Sequence, residues 1–586
     1  MDPDVNCKVT SAVDVFFIFS YFCYNWFMPK INWIELVLTS KKWFEKNLFY
    51  LLAVFLLLFW YSLFLLKDVN LVTADLGRHL KNGELFLQNF QVPAINLYSY
   101  TYPDFPFTNH HWGAGVVFFL IEKFSGLAGL SSFFIALSLL TFWIFLRLAE
   151  KMSSFFVALP AALLAIPLLG ERTEIRPEVF SYFFAGLFLW LLWHFQKGRL
   201  SFRWLFLLPL IESLWVNSHI YFFLGFLILG SFWMEDLFSE RKNLKKLTLI
   251  LFLTALAALI NPFGIQGLIY PFLIFGNYGY RIVENQTVWF LERLQVFHAN
   301  FPVFKAALIL LGISFLALLI GKRKKFSLAI FLPLIALTGL TLMAIRNFTL
   351  WGLFLIPGLG YLWENLKIKT IPDAPLEIAV PVEINYLSPS SWWLALKFWE
   401  RRGIKITAKA QPFILFFGTV LIFALTFFLS WNDLPVNQKL PDNFFSKINA
   451  PAEFFKKEHL QGPIFNNYDV GGFLIFHLYP QEKVFVDNRP EAYPQSFFDE
   501  VYIPMQEKEA DWQKAEEKYQ FNVIFFYRND YTPWGQQFLI SRIQDKTWAP
   551  VFVDQQTIIF LKRNSLNQDI ITHFEIPAEN FNIIKP

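Results

Sequence analysis

Long apolar runs alternate with short polar connections along most of the chain. The runs have the length of membrane helices rather than of buried strands. The first clear one, Asn47 to Leu66 (NLFYLLAVFLLLFWYSLFLL), is long enough to cross a bilayer. Further spans are predicted near 126–148, 153–169, 178–196, 203–217, 219–237, 245–261, 303–320, 326–343, 347–363 and 412–430, about eleven in all. The stretch WGAGVVFFLIEKF, entered after His111, is too short to cross and predicts a re-entrant or interfacial helix. Val13 to Met28 is short and aromatic, and reads either as interfacial or as an extra span.

After Trp431 the pattern changes to alternating strand and helix signals. GPIFNN, KVFVDNR and FNVIFFY predict short buried strands; DWQKAEEKY and SFFDEVYIPMQ predict helices; WAPVFVDQQTIIFLKR predicts a hairpin. The expected organisation is an N-terminal interfacial or cytoplasmic segment (1–46), a transmembrane domain (47–430) and a soluble α/β domain (431–586).

Composition agrees with that pattern. Of 586 residues, 55% are hydrophobic and only 16% charged, which marks a polytopic α-helical membrane protein. Basic residues set its orientation. Lys41, Lys42 and Lys46 precede the first span, and GKRKK (321–325) and the long connection 364–411 carry the later clusters. Placing these inside puts the loop after the first span and the α/β domain outside. The basic residues lie in clusters between apolar runs rather than along one face, so nucleic acid is not an expected partner. Cys7 and Cys23 make neither a disulfide framework nor a metal-ligand spacing.

The polar groups of interest gather on the outer side. The first outer loop supplies Asp75, Arg78, His79, Asp104, His110 and His111, with Asp75 and His79 on one face if that stretch is helical. The turn ERTEIRPE (171–178) supplies Glu174, Arg176 and Glu178, along with Glu171 and Arg172. Asn217 and His219 lie in the next outer turn, Arg346 and Asn347 in a later one, and Arg281 and Glu284 in the second outer loop. Glu212 lies within a span, where a carboxylate is expensive to keep; it is either functional or paired at the interface. For His110 and His219 interfacial hydrogen bonding is the simpler reading. Arginines beside carboxylates at a membrane mouth suit one task. Guanidinium groups hold an anionic lipid phosphate while a carboxylate takes a proton from an attacking hydroxyl.

Six motifs, TADLGRHLKNGELF, SYTYPDFPFTNHHW, RPEVFSYFF, WVNSHIYFFLG, NPFG and RNFTLWGLFLIPG, resemble a bacterial branch of the GT-C superfamily of membrane glycosyltransferases. FNNYDVGGFLIFHLYPQEKVFVDNRPEAY is similar to the outer C-terminal part of the same branch. The resemblance implies a GT-C-like multi-span fold, a catalytic acid in the first outer loop, matched by Asp75, and a polyprenyl-phosphate sugar donor. Related sequences often read Asp-Pro-Asp where this chain has Thr73, Ala74 and Asp75, and NHEW where it has NHHW, so two acids of the pattern are absent.

The expectation is an inverting transferase at the outer face of a bacterial inner membrane, acting on a glycan, lipid or protein acceptor. Asp75 is its general base. Arg176 and Arg346, then Arg78 and Arg281, are its phosphate ligands. His79, His110, His111, Glu174, Glu178, Glu212, Asn217 and His219 line the sugar pocket. Asp487 and Arg489 belong either to the acceptor surface or to a structural pair. No cofactor is read from the residues, and a divalent metal stays open. The rival readings are a non-enzymatic lipid or glycan transporter or scaffold, and an oligosaccharyltransferase or glycan ligase of the same fold.

Overall fold

A computed structural model of the chain describes residues 33–69, 71–72, 74–239, 241–273, 279–280, 282–296, 298–320, 326–366, 420–424, 426–428 and 449–581. Expectations for Val13 to Met28, for 321–325 and for most of 364–448 lie outside these residues. The chain divides into two compact units, 1–60 and 61–586. In the first, the described residues belong to α1 (Trp33–Leu65), which runs on into the second, so the span expected from Asn47 is part of a longer helix. Everything below concerns the second unit.

Its membrane part follows the apolar runs. α2 (Leu76–Asn89) occupies the loop that follows α1, and α3 (Trp112–Met152) comes next. Gly126 interrupts α3 at φ 65°, ψ −175°, a conformation open to glycine, and so separates the short apolar stretch from the span that follows. α4 (Phe155–Leu169), α5 (Glu178–Gln196), α6 (Leu207–Val216), α7 (Phe223–Phe238), α8 (Leu244–Ala258), α9 (Ile265–Leu273), α10 (Val288–Arg293), α11 (Asn300–Ile320), α12 (Leu328–Met343) and α13 (Phe348–Leu366) complete it. Among the described residues, four helical stretches are long and apolar enough to cross a membrane alone: Trp112–Met152, Glu178–Gln196, Ile220–Phe238 and Asn300–Ile320. Tyr50–Leu65, Phe155–Leu169 and Leu328–Met343 are shorter and apolar. α4 and α13 are apolar all round and buried along nearly their whole length, as helices at the centre of a bundle must be. α11 is equally apolar yet mostly uncovered, as expected for a helix that faces lipid.

The C-terminal part is built on α14 (Ala450–Lys457), β1 (Ile464–Asn466), α15 (Gly471–Leu478), α16 (Glu509–Tyr519), β2 (Val523–Tyr527), α17 (Pro533–Gln544), β3 (Trp548–Val553), β4 (Thr557–Lys562) and α18 (Gln568–Phe574). The strand order is β1-β2-β4-β3, with β1 parallel to β2 and the other pairs antiparallel. Both the strand FNVIFFY and the C-terminal hairpin form as their β-branched and aromatic runs predict. An aromatic core fills the space under the sheet, with Phe465, Phe485, Trp512, Phe521, Phe526 and Phe538 buried in it. KVFVDNR, however, is not a strand. The Asn466 side chain donates to Val486 O and accepts from Phe485 N, which takes up the backbone groups a strand beside β1 would need. Val484 pairs instead with the loop between α2 and α3, accepting from Tyr100 N and donating to Tyr98 O.

That loop is stitched to the C-terminal part at further points. Asn96 donates to Ala492 O, Tyr100 Oη to Ile464 O, and Thr101 Oγ1 to Phe485 O. Two segments nearly four hundred residues apart in sequence therefore form one wall beside α2.

Candidate functional site

Asp75 is the residue immediately before α2, where a carboxylate gains from the unsatisfied amides of the first turn. Its side chain makes no capping bond and turns elsewhere. Oδ1 accepts a 2.7 Å hydrogen bond from Asn488 Nδ2 in the C-terminal part. Oδ2 faces Arg78 at 3.4 Å and Arg176 at 3.7 Å. The carboxylate remains 26% exposed, enough for a substrate group to reach it.

Arg176 leads into a chain of alternating charges. Its Nε and Nη2 donate to Glu174 Oε2 at 3.1 and 2.8 Å, and its Nη1 lies 3.6 Å from Glu284. Arg172 joins Glu284 to Glu178, donating to Glu178 through Nε at 2.8 Å and Nη2 at 2.5 Å, and to Glu284 through Nη1. Arg346 then donates to Glu178 at 3.2 Å and to Asn285 Oδ1 at 2.9 Å. Burial raises the Glu284 carboxyl, but Arg172, Arg176 and Arg346 outweigh it and hold the group down at about 2. Four guanidinium groups thus face four carboxylates, Asp75, Glu174, Glu178 and Glu284. Two of the arginines keep a donor in reserve: Nε of Arg78 and Nε of Arg346 are buried without a hydrogen-bond partner. Such orphaned donors suit an anionic ligand.

Beside this chain four imidazoles cluster around His111, with His219 stacked on it and His79 edge-on. His110 lies 3.8 Å from His111, His79 5.2 Å and His219 5.1 Å from it, centroid to centroid. His219 pairs with Ser181 at 2.8 Å, and Ser181 accepts from Trp215 Nε1. Both ring nitrogens of His79, and Nε2 of His110 and of His111, have no partner. Burial pushes His79 and His111 well below the ordinary imidazole range and His110 to about 4, with Arg78 adding to each shift, so these rings are neutral at physiological pH.

The remaining expected residues divide. Glu174 and Glu178 sit in the charge chain. Glu212 does not reach it: its carboxylate fills the notch left by Gly225 on α7, next to Phe188, and neither oxygen is hydrogen-bonded. Asn217 spends both amide protons on Ser213 O and Ile260 O and accepts from Trp112 Nε1, so it ties α3 and α6 to the segment just after α8. Asp104 is exposed. Arg281 lies outside the described residues. Asp487 and Arg489 are a buried structural pair: the guanidinium bonds Asp487 twice, reaches Asn96, and stacks on Tyr98 and Phe107. Among the described residues no three His, Cys, Asp or Glu side chains are grouped to hold a metal. The carboxylates beside Asp75 are tied to guanidinium groups, a donor set that does not fit a cation.

Residues without an assigned role in the sequence prove central. Arg172 and Glu284 are the hubs of the charge chain; the signal for Arg172 is its i−4 spacing from Arg176 within one short turn. Asn488 carries no comparable signal, being a neutral side chain in a run that resembles a strand.

No protein-family model matches the chain, and no curated protein matches it. Solved structures do. The oligosaccharyltransferase of Archaeoglobus fulgidus tethered with an acceptor peptide aligns at a TM-score of 0.52 and 13% identity, over 89% of this chain and 75% of that one. The archaeal oligosaccharyltransferase AglB from the same organism, in complex with an inhibitory peptide and a dolichol-phosphate, aligns at 0.50 and 13%, over 87% and 73%. ArnT from Cupriavidus metallidurans bound to undecaprenyl phosphate aligns at 0.46 and 13%, over 89% and 99%, a score at which the likeness carries no argument. At such identity what is shared is the fold. The chain has the multi-span fold with a C-terminal soluble domain that the resemblance to GT-C membrane glycosyltransferases implies.

Proposed function

We propose that the protein is a GT-C-type glycosyltransferase that moves a sugar from a polyprenyl-phosphate-linked donor to an acceptor hydroxyl, with inversion. The reaction takes place at the outer face of a bacterial cell membrane, where the C-terminal domain also lies. The observation that carries this reading is the surroundings of Asp75: a reachable carboxylate between two arginines and one amide, at the end of a chain of guanidinium groups with unspent donors.

The chemistry follows from that arrangement. An acceptor O–H donates to the Asp75 carboxylate, and its oxygen attacks the anomeric carbon from the side opposite the phosphate. The proton passes to Asp75 as the C–O bond forms and the bond to phosphate breaks. Arg346 and Arg78, through their spare Nε–H groups, and Arg176, by exchanging the half-buried Glu174, meet the charge that develops on the leaving phosphate. The neutral histidines offer hydrogen bonds to the sugar without adding charge. Glycan, lipid and protein hydroxyls all fit as acceptor.

A second reading is favoured by one finding: the two solved structures described above at 0.50 or better are oligosaccharyltransferases. An oligosaccharyl donor and a peptide or glycan acceptor would use the same carboxylate. Purified protein given a mixture of glycan, lipid and peptide hydroxyl acceptors together with a panel of polyprenyl-phosphate hexoses and pentoses, and separately with a lipid-linked oligosaccharide, separates the two. Release of polyprenyl phosphate from the single-sugar donors supports the first reading, and release from the oligosaccharide alone supports the second. Release from neither contradicts both.

A further inference from the structure

Asp75 is the group on which the proposed reaction depends, yet its shortest and most directional contact comes from another part of the chain. Asn488 lies 413 residues away and donates to Oδ1 at 2.7 Å, while both arginines face Oδ2 at longer range. An ionised carboxylate only accepts, so the amide must turn its NH2 toward Asp75. Asn488 is itself held from both sides. Asp487 before it accepts from Arg489 and from Tyr493 Oη, and Arg489 after it is clamped by Asn96, Tyr98 and Phe107.

The two segments meet because glycines let them. A Cβ on Gly77 of α2 would lie 2.5 Å from Gly472 O at the start of α15. One on Gly472 would crowd the Asn488 amide and Ala74 O, at 3.3 and 3.4 Å. The first turn of α15 therefore seats directly against the residues around Asp75, with the Asn488 amide beside the contact.

We propose that Asn488 is a positioning residue for Asp75: by holding Oδ1, the C-terminal domain aims the other carboxylate oxygen at the acceptor. The inference rests on Asp75 being the base. An unanchored carboxylate has two or three rotamers to choose from, and only one presents an oxygen along the line of attack. Loss of the anchor lowers the rate of the chemical step and leaves donor binding to the arginines.

The test uses the full-length protein in detergent with the panel of polyprenyl-phosphate sugars and the mixed hydroxyl acceptors, following release of polyprenyl phosphate by the wild type, Asp75→Asn, Asn488→Ala, Asn488→Ser, Asn488→Asp and the Asp75→Asn/Asn488→Ala pair. The expected result is a drop in kcat of about tenfold or more for Asn488→Ala, with the donor KM within about twofold of wild type. Asn488→Ser, which keeps a donor on a shorter arm, recovers part of it. In Asn488→Asp the new carboxyl donates only when protonated and otherwise repels Asp75, so the acid limb of the pH–rate profile moves. The double variant is no slower than Asp75→Asn alone. Thermal melting of each variant confirms folding, and should Asn488→Ala not fold, the Ser and Asp variants carry the test. If Asp75→Asn is inactive while Asn488→Ala keeps wild-type kcat, the positioning role is overturned and the base stands. If Asp75→Asn keeps wild-type transfer, or the wild type turns over no donor, the reading of Asp75 falls and the role of Asn488 with it.

Discussion

Arg346 donates to Oε1 of Glu178 at 3.2 Å, the same oxygen that takes Arg172 Nη2 at 2.5 Å. This shared oxygen joins a residue from the turn before α13 to the turn between α4 and α5, and puts Arg346 in one network with Arg176. The Arg346 Nε remains without a partner. Arg346→Ala is expected to weaken binding of undecaprenyl phosphate by about 1.5–3 kcal/mol, the scale of a hydrogen bond to a charged group. Arg346→Lys restores only part, since an ammonium lacks the planar fork. Titration of the lipid in detergent checks this, and unchanged affinity in the Ala variant would remove Arg346 from the phosphate site.

Arg172 is wrapped by Glu178 and Glu284, and its role is to keep one buried and one partly buried carboxylate paired. Arg172→Ala leaves both without their main partner and should cost roughly 3–5 kcal/mol, the range for breaking a buried ion pair. A large fall in melting temperature is the expected readout. A melting curve like wild type would show that the network relaxes without its hub.

The histidine cluster makes stability depend on pH. An unfolded imidazole titrates near 6.5, while the folded protein holds His110 neutral down to about 4. Between these values the unfolded chain binds more protons, so stability falls as pH falls, by roughly 1.4 kcal/mol per unit below 6.5 for this one residue. Above 6.5 His110 contributes no slope. His110→Asn should flatten the decline between pH 6.5 and 4, as followed by melting in detergent. An unaltered slope would mean that the ring accepts a proton in place.

Topology is testable without any substrate. The basic clusters predict 321–325 inside and everything after Trp431 outside. A cysteine in place of Glu500 should react with an impermeant maleimide on cells whose outer membrane is opened, and one in place of Arg323 should not. The reverse pattern would invert the orientation and move Asp75 to the cytoplasm.

Much of this was legible in sequence, for identifiable reasons. Membrane helices announce themselves by length and composition, and the cost of carboxylates and arginines beside them drew attention to Asp75, Arg176, Glu178 and Arg346. FNVIFFY and the hairpin were plain because β-branched and aromatic residues run together there. KVFVDNR has the same composition, but the Asn466 side chain takes the backbone groups a strand would use. Glu212 and Asn217 share the polar character of the site residues, and only packing separates them from it. The Asn488–Asp75 contact joins positions with no periodic or charge relation.

Asp75→Asn keeps the shape and the bond to Asn488 while removing the charge, and tests the base most directly. Folding and undecaprenyl phosphate binding should survive, and sugar transfer from the polyprenyl-phosphate donor that the wild type uses should fall by at least ~10²-fold, the scale of a lost general base. Asp75→Glu should also be poor, since an added methylene moves the carboxylate by about an ångström in a step governed by geometry. An Asn variant that transfers sugar at the wild-type rate would contradict the account.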